Sequence, residues 1–149
     1  MLTGRFGDTT RRPYIEGRLI FPRLNIRANI SFCVDTGADR SLLLPSDGVR
    51  LGLDYAALSG NQESVGVGGL CRNFTEQAAL VFTDPGRYLY VYVLSLAICP
   101  PGADIMDLPS LLGRDILNQW RMRYDASKNL LAFTVISADA KVRIPRADG

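Results

Sequence analysis

Asp35, Thr36, Gly37, Ala38 and Asp39 place two carboxylates around a glycine directly after the apolar run Phe32-Cys33-Val34. A carboxylate delivered at the end of a strand can move protons to and from water, and in this chain it has few rivals for that role. There is no histidine, which removes Ser-His and Cys-His nucleophile pairs and the commonest general base. Acid–base work falls to carboxylates, tyrosine, lysine or water. The three cysteines, Cys33, Cys71 and Cys99, are widely spaced, form no CxxC pair and have no histidine to complete a zinc site. No metal and no cofactor is expected. The triplet at Asp35 also has a plainer reading, in which Asp35 initiates a turn, Thr36 bonds the backbone and Gly37 takes a positive φ angle.

The elements that must position Asp35 are strands. Leu24, Ile26, Ala28, Ile30, Phe32 and Val34 alternate with polar residues, the period of a strand with one apolar face. Tyr14 to Phe21 reads as its antiparallel partner across a turn near Pro22-Arg23. After the acidic turn, Ser41 to Pro45 reads as a short buried strand, and Ser46 to Leu51 as one helical turn before Gly52. Glu63 to Phe82 reads as a long hairpin with the glycine-rich Gly66-Val67-Gly68-Gly69 at its tip. Tyr88 to Leu96 reads as a buried strand, and Ile98 to Pro109 as a loop. Leu111-Leu112-Gly113-Arg114-Asp115 leads into a short helix over Arg114 to Gln119, with Asp115 suited to its N-terminal dipole. Trp120 to Tyr124 and Leu130 to Ile136 flank a hairpin turn, and a last strand is predicted over Lys141 to Ile144.

Bulk properties set the frame. With 149 residues, the chain is expected to form a single domain over 1–149, with 1–12 and 146–149 as flexible or interface tails. A net charge of +2 with scattered basic residues points to neither nucleic acid nor membrane as partner. The opening segment lacks a signal-peptide apolar region, and the apolar run from Tyr88 to Ile98 is too short to span a bilayer. The expected setting is cytoplasmic.

Three features occur in order: an acidic turn after an apolar strand, a glycine-rich hairpin about thirty residues on, and a Leu-Leu-Gly-Arg-Asp segment before a short helix. In this the chain resembles the retropepsins, the single-lobed retroviral-type aspartic proteases, over about Tyr14 to Ile144. The resemblance implies an all-β fold, a closed barrel with one short C-terminal helix, assembled as a two-fold homodimer. It implies that Asp35 is catalytic, that Thr36 and Gly37 support the turn, and that Ala38, Asp39, Gly66, Val67, Gly68 and Gly69 contact a peptide or protein substrate. It further implies a structural ion pair between Arg114 and Asp39.

The chemistry implied is peptide hydrolysis by two carboxylates, one taking a proton from water while the other gives one to the carbonyl oxygen. One Asp-Thr-Gly per chain means that the second carboxylate comes from another copy, across a two-fold axis. Such a pair holds one proton between its members over a range of pH, and its titration belongs to the pair. Some positions depart from the commonest family pattern. Ser41 stands where threonine is usual, and Arg40 brings positive charge beside the cleft, favouring acidic or polar substrate side chains. Two other readings stay open at this level: a catalytically weak dimerisation or peptide-binding module of the same fold, and an unrelated β-sandwich with coincidental motifs.

Overall fold

The computed structural model describes residues 1–66 and 69–146, with side chains described outside 62–72. Its strands are β1 (Leu2–Thr3), β2 (Arg5–Gly7), β3 (Arg12–Phe21), β4 (Ile26–Val34), β5 (Leu42–Leu43), β6 (Gly60–Gly66), β7 (Gly69–Asp84), β8 (Tyr88–Ile98), β9 (Leu111–Leu112), β10 (Trp120–Asp125), β11 (Leu130–Val135) and β12 (Ala140–Arg143). Two short helices join them, α1 (Pro45–Arg50) and α2 (Arg114–Leu117).

Six strands close on themselves in the order β8, β5, β9, β4, β3, β7 and back to β8. The hairpin β3–β4 supplies one wall, with Ile15 opposite Phe32 and Leu19 opposite Ala28. Its alternation decides what goes inside: Ile15, Gly17, Leu19, Phe21, Ile30, Phe32 and Val34 are all buried, while the residues that alternate with them face outward. β7 and β8 supply the opposite wall and contribute Leu80, Phe82, Tyr92, Leu96 and Ile98 to the same core. β8 is buried less fully than its continuous apolar run predicts, because its first half is covered on one face only and Val93 is exposed.

A smaller sheet, β1–β11–β10, packs against the barrel. Trp120 joins the two bodies: its ring meets Phe82 edge-on at 4.9 Å and Phe133 at 5.0 Å, and its Nε1–H donates to the Tyr92 hydroxyl at 2.7 Å. The buried indole therefore keeps its polar atom satisfied. The expected N-terminal tail is instead largely strand. Leu2 is buried and pairs with Phe133, and Arg5–Gly7 pairs with β3. Strands of two and three residues are too short to show a period, which is why they read as a tail. At the other end, β12 pairs with β8, and residues 147–149 lie outside the described residues.

β6 and β7 form a hairpin arm beyond the barrel, paired from Gly60 opposite Thr75 to Gly66 opposite Gly69. Glu76 anchors its base. Only 1% exposed, it accepts from Arg23 Nε at 3.1 Å, Arg23 Nη2 at 2.6 Å and the Ser59 amide at 2.9 Å. These bonds, with Arg23 the largest influence, hold the Glu76 carboxyl below its ordinary value of 4.5. A lowered folded-state value means that the bonds stabilise the fold in full above the ordinary carboxylate range and lose that contribution as pH falls through the folded value. Chemical denaturation of Glu76→Gln at about pH 6 is expected to show a loss of about 2 kcal/mol. That gap should narrow as the wild type is acidified below its ordinary value of 4.5. A gap independent of pH would show that the carboxylate charge is not what holds the arm. No helix among the described residues is long and apolar enough to cross a membrane.

Candidate active site

The strands on either side of the acidic turn, β4 and β5, are not paired with each other. β9 lies between them, parallel to β4 through Cys33–Leu111 and Val34–Leu112 and antiparallel to β5 through Leu42–Leu111. The chain must therefore leave β4, turn outside the sheet and return on the far side of β9. Asp35 is the first residue of that excursion. Its amide donates to the Leu112 carbonyl at 2.9 Å, extending the β4–β9 ladder by one bond before the chain departs.

The side chain of Asp35 is half-buried at the mouth of this turn. Its Oδ1 accepts the Gly37 amide at 2.9 Å, and the Asp35 carbonyl accepts from Ala38 at 3.2 Å. Among the described residues no hydrogen bond reaches Oδ2, so one carboxylate oxygen is held while the other is open to water. Gly37 does not take the positive φ angle of the plainer turn reading: among described glycines only Gly52 and Gly86 do. Its constraint is spatial, since a Cβ there would lie 3.2 Å from Asp35 Oδ1. Thr36, Gly37 and Asp39 are exposed and Ala38 is half-buried.

Arg114, at the start of α2, reaches back over the turn. Its Nη1 donates to the Thr36 carbonyl at 2.8 Å and its Nη2 to the Asp39 carboxylate, while its backbone amide donates to the Ala38 carbonyl at 2.9 Å. One residue thus grips the turn at three points. The surface ion pair alone would be worth little; the two bonds to backbone carbonyls fix the turn's shape.

A second brace joins Asp115, the last residue of the Leu-Leu-Gly-Arg-Asp segment, to Ser41. Asp115 accepts the Ser41 amide at 2.9 Å and the Ser41 hydroxyl at 2.8 Å, and the Ser41 Oγ in turn accepts the Gly113 amide at 3.0 Å. Ser41 is 1% exposed. The Asp115 carboxylate, expected to serve the helix dipole, also caps its own helix through the Ile116 amide at 2.9 Å. The helix is shorter than predicted, ending at Leu117 with Asn118 as its cap. Below these, buried Ser110 donates to Asp47 at 2.6 Å and accepts the Leu44 amide at 2.9 Å, tying β9 to α1. The adjacency of Arg114 and Asp115, two oppositely charged residues directly after a glycine, was the available signal.

Beside Asp35, Cys33 and Leu111 open onto a cavity of about 180 Å³ completed by Arg12, Leu44, Leu108 and Pro109. Its lining is apolar apart from Arg12 and the Cys33 thiol. Burial pushes that thiol up from its ordinary value, outweighing the pull of Arg12 in the other direction. Cys33 is therefore a protonated wall of the cavity at neutral pH and not a thiolate nucleophile. Among the described residues no group of three or more Cys, Asp or Glu side chains is placed to hold a metal ion. Of the glycine-rich tip, Gly66 and Gly69 face each other across the hairpin, and Val67 and Gly68 lie outside the described residues.

This arrangement can be set beside known proteins. A retropepsin-like aspartic protease from Rickettsia conorii superposes with a TM-score of 0.52 at 24% identity, over 88% of this chain and 96% of that one. The fold is retropepsin-like. The protease of EIAV, solved in complex with the inhibitor HBY-793, matches with a TM-score of 0.48 at 22% identity, over 75% of this chain and 90% of that one. No protein-family model and no curated protein matches the chain. In a retropepsin-like frame, the closed six-stranded ring is the barrel, β9 is the strand threaded between the two halves of the acidic turn, and α2 is the short helix after it.

Proposed function

We propose that the chain is an aspartic endopeptidase whose site forms between two Asp35 carboxylates, one from each chain of a homodimer. The observation that carries this reading is the state of Asp35: a residue held by three hydrogen bonds at an open turn, one of them to its carboxylate Oδ1, with Oδ2 uncommitted and no second carboxylate of its own chain hydrogen-bonded to it among the described residues. One carboxylate can hold a water but cannot also supply the proton that the carbonyl oxygen needs. A second copy related by a two-fold axis supplies it. Water then adds to the carbonyl carbon as one Asp35 takes its proton and the other protonates the oxygen. Collapse of the tetrahedral intermediate breaks the C–N bond, with a proton passing to the amine.

The neighbouring features take their roles from this. The cavity behind Cys33 and Leu111 accepts an apolar substrate side chain, with Arg12 at its edge. The β6–β7 arm, whose described pairing ends with Gly66 opposite Gly69, covers the bound peptide and excludes water. Ala38 and Asp39 border the peptide, and Arg114 with Asp39 keeps the turn in shape. The small sheet leaves β10 as an open edge with exposed Met122 and Tyr124, a surface suited to strand addition by a second copy.

The test is stoichiometry. Cleavage of a peptide library is expected to show a specific activity that rises with chain concentration and then levels off, and a statine-type transition-state mimic should bind once per two chains. Activity unaffected by dilution, with one mimic bound per monomer, would overturn the dimeric site. Dimers that bind the mimic but turn over no peptide would mark a binding module in place of an enzyme.

A further inference from the structure

The far end of the barrel carries a second concave site, unrelated to Asp35. The β7–β8 turn runs through Pro85 and Gly86, whose φ of +74° suits the third position of a type II turn. The Arg87 amide closes that turn on the Asp84 carbonyl at 3.0 Å. The chain leaving β12 is stapled to it, since the Ile144 amide donates to the Arg87 carbonyl at 2.9 Å. Arg143 lies opposite Tyr88 in the ladder. This fixed frame surrounds a cavity of about 230 Å³ lined by Gly86, Arg87, Tyr88, Arg143, Ile144 and Arg146.

Three arginines line that small space. Among the described residues Arg87, Arg143 and Arg146 form no ion pair and no side-chain hydrogen bond, in contrast to Arg23, Arg50 and Arg114, which each have a carboxylate. Among the described residues, the carboxylates of Asp84 and Asp139 are committed elsewhere. Asp84 is buried and accepts the Met1 amino group at 2.9 Å, and Asp139 accepts the Val93 amide at 2.6 Å. A fourth cation, Lys141, sits 3.9 Å over the Tyr88 ring and adds to the same field. Arginine stays charged at any physiological pH, so the cluster carries three like charges, and no carboxylate among the described residues pairs with them.

We propose that this pocket is a binding site for a phosphoryl group, free or carried as a monoester on a small molecule. A carboxylate offers two oxygens and one charge, and a single guanidinium fork satisfies it. Three arginines lining one cavity can bring their forks to a tetrahedral dianion, which presents oxygens in several directions. The pocket lies about 30 Å from the acidic-turn end of β8, counting the strand's rise from Tyr88 to Ile98. Occupancy is therefore independent of peptide at the candidate active site.

Amide NMR of the full chain, titrated at low ionic strength with inorganic phosphate or glycerol phosphate, tests the site. Saturable shifts over 86–88 and 143–146, with a Kd of about 1 mM or below, are expected. Arg87→Gln and Arg143→Gln should each weaken binding about tenfold, and Arg18→Gln, an exposed arginine on β3, should leave it unchanged. Tighter binding of the monoester would identify a carried phosphate, and equal binding a free one. Absence of saturable shifts, equal shifts with acetate at matched ionic strength, or equal weakening by Arg18→Gln would each overturn the proposal.

Discussion

Asp35→Asn is expected to yield a protein that folds, pairs with itself and hydrolyses no peptide. The substitution keeps the shape of the side chain, and the amide oxygen can still accept the Gly37 N–H that Asp35 Oδ1 accepts at 2.9 Å. The three bonds from Arg114 to the turn go to Thr36, Ala38 and Asp39 and are untouched. Thermal unfolding should therefore shift by no more than about 2 °C. What is lost is the carboxylate that takes the proton from water, and Asp39, the other carboxylate of the turn, is committed to Arg114, so turnover should fall by at least about 10³-fold. A site shared between chains adds a sharper outcome. Mixed with an equal amount of wild type under exchanging conditions, Asp35→Asn chains should reduce wild-type activity to about half, because random pairing spoils half the sites that wild-type chains would otherwise form. Full wild-type activity in the mixture would place the whole site within one chain, and cleavage by Asp35→Asn within tenfold of wild type would remove Asp35 from the chemistry.

The parts of this site that could be read from the sequence are those tied to a strand period or to a local motif. The alternation from Ile26 to Val34 fixes which residues enter the barrel, and so fixes that Asp35 emerges at its rim. The Gly113-Arg114 pair marks where β9 ends, and the structure brings Arg114 to Asp39 across 75 positions. What could not be read depends on contacts that leave no periodic trace. The Asp115–Ser41 brace spans 74 positions between two polar residues, one of them buried. A lone buried serine looks like any other serine until its partner is known. β1 and β2 carry too few residues to show alternation, whereas the strand predicted over Lys141 to Ile144 is present as β12, one residue earlier at each end. Gly37 is ambiguous for a related reason. Its residue type is compatible with a positive φ or with a close approach, and sequence does not distinguish the two.

Gly113 shows how much depends on such an approach. Its backbone, at φ −96° and ψ −174°, is extended and open to any residue, so nothing about its conformation demands glycine. Its surroundings do. A Cβ at Gly113 would lie 2.5 Å from the Arg40 carbonyl carbon, 2.6 Å from the Arg40 oxygen and 2.9 Å from the Ala38 oxygen, all of them main-chain atoms. No side chain can rotate away to relieve the clash. Either the acidic turn lifts off β9, breaking the Arg114–Ala38 and Gly113–Ser41 bonds, or β9 and α2 move outward. Gly113→Ala is thus expected to cost about 3 kcal/mol and lower the melting temperature by about 10 °C. It should also lower kcat/KM at least about tenfold at temperatures where the variant is still folded, since Asp35 rides on the displaced turn. Gly52→Ala provides the comparison, because Gly52 needs its φ of +69° but a methyl group added there would meet nothing within 4 Å. Strain without a clash should cost only about 1 kcal/mol there and leave kcat/KM unchanged. A Gly113→Ala protein as stable and active as Gly52→Ala would mean that the turn bearing Asp35 does not rest on β9 as closely as these distances require.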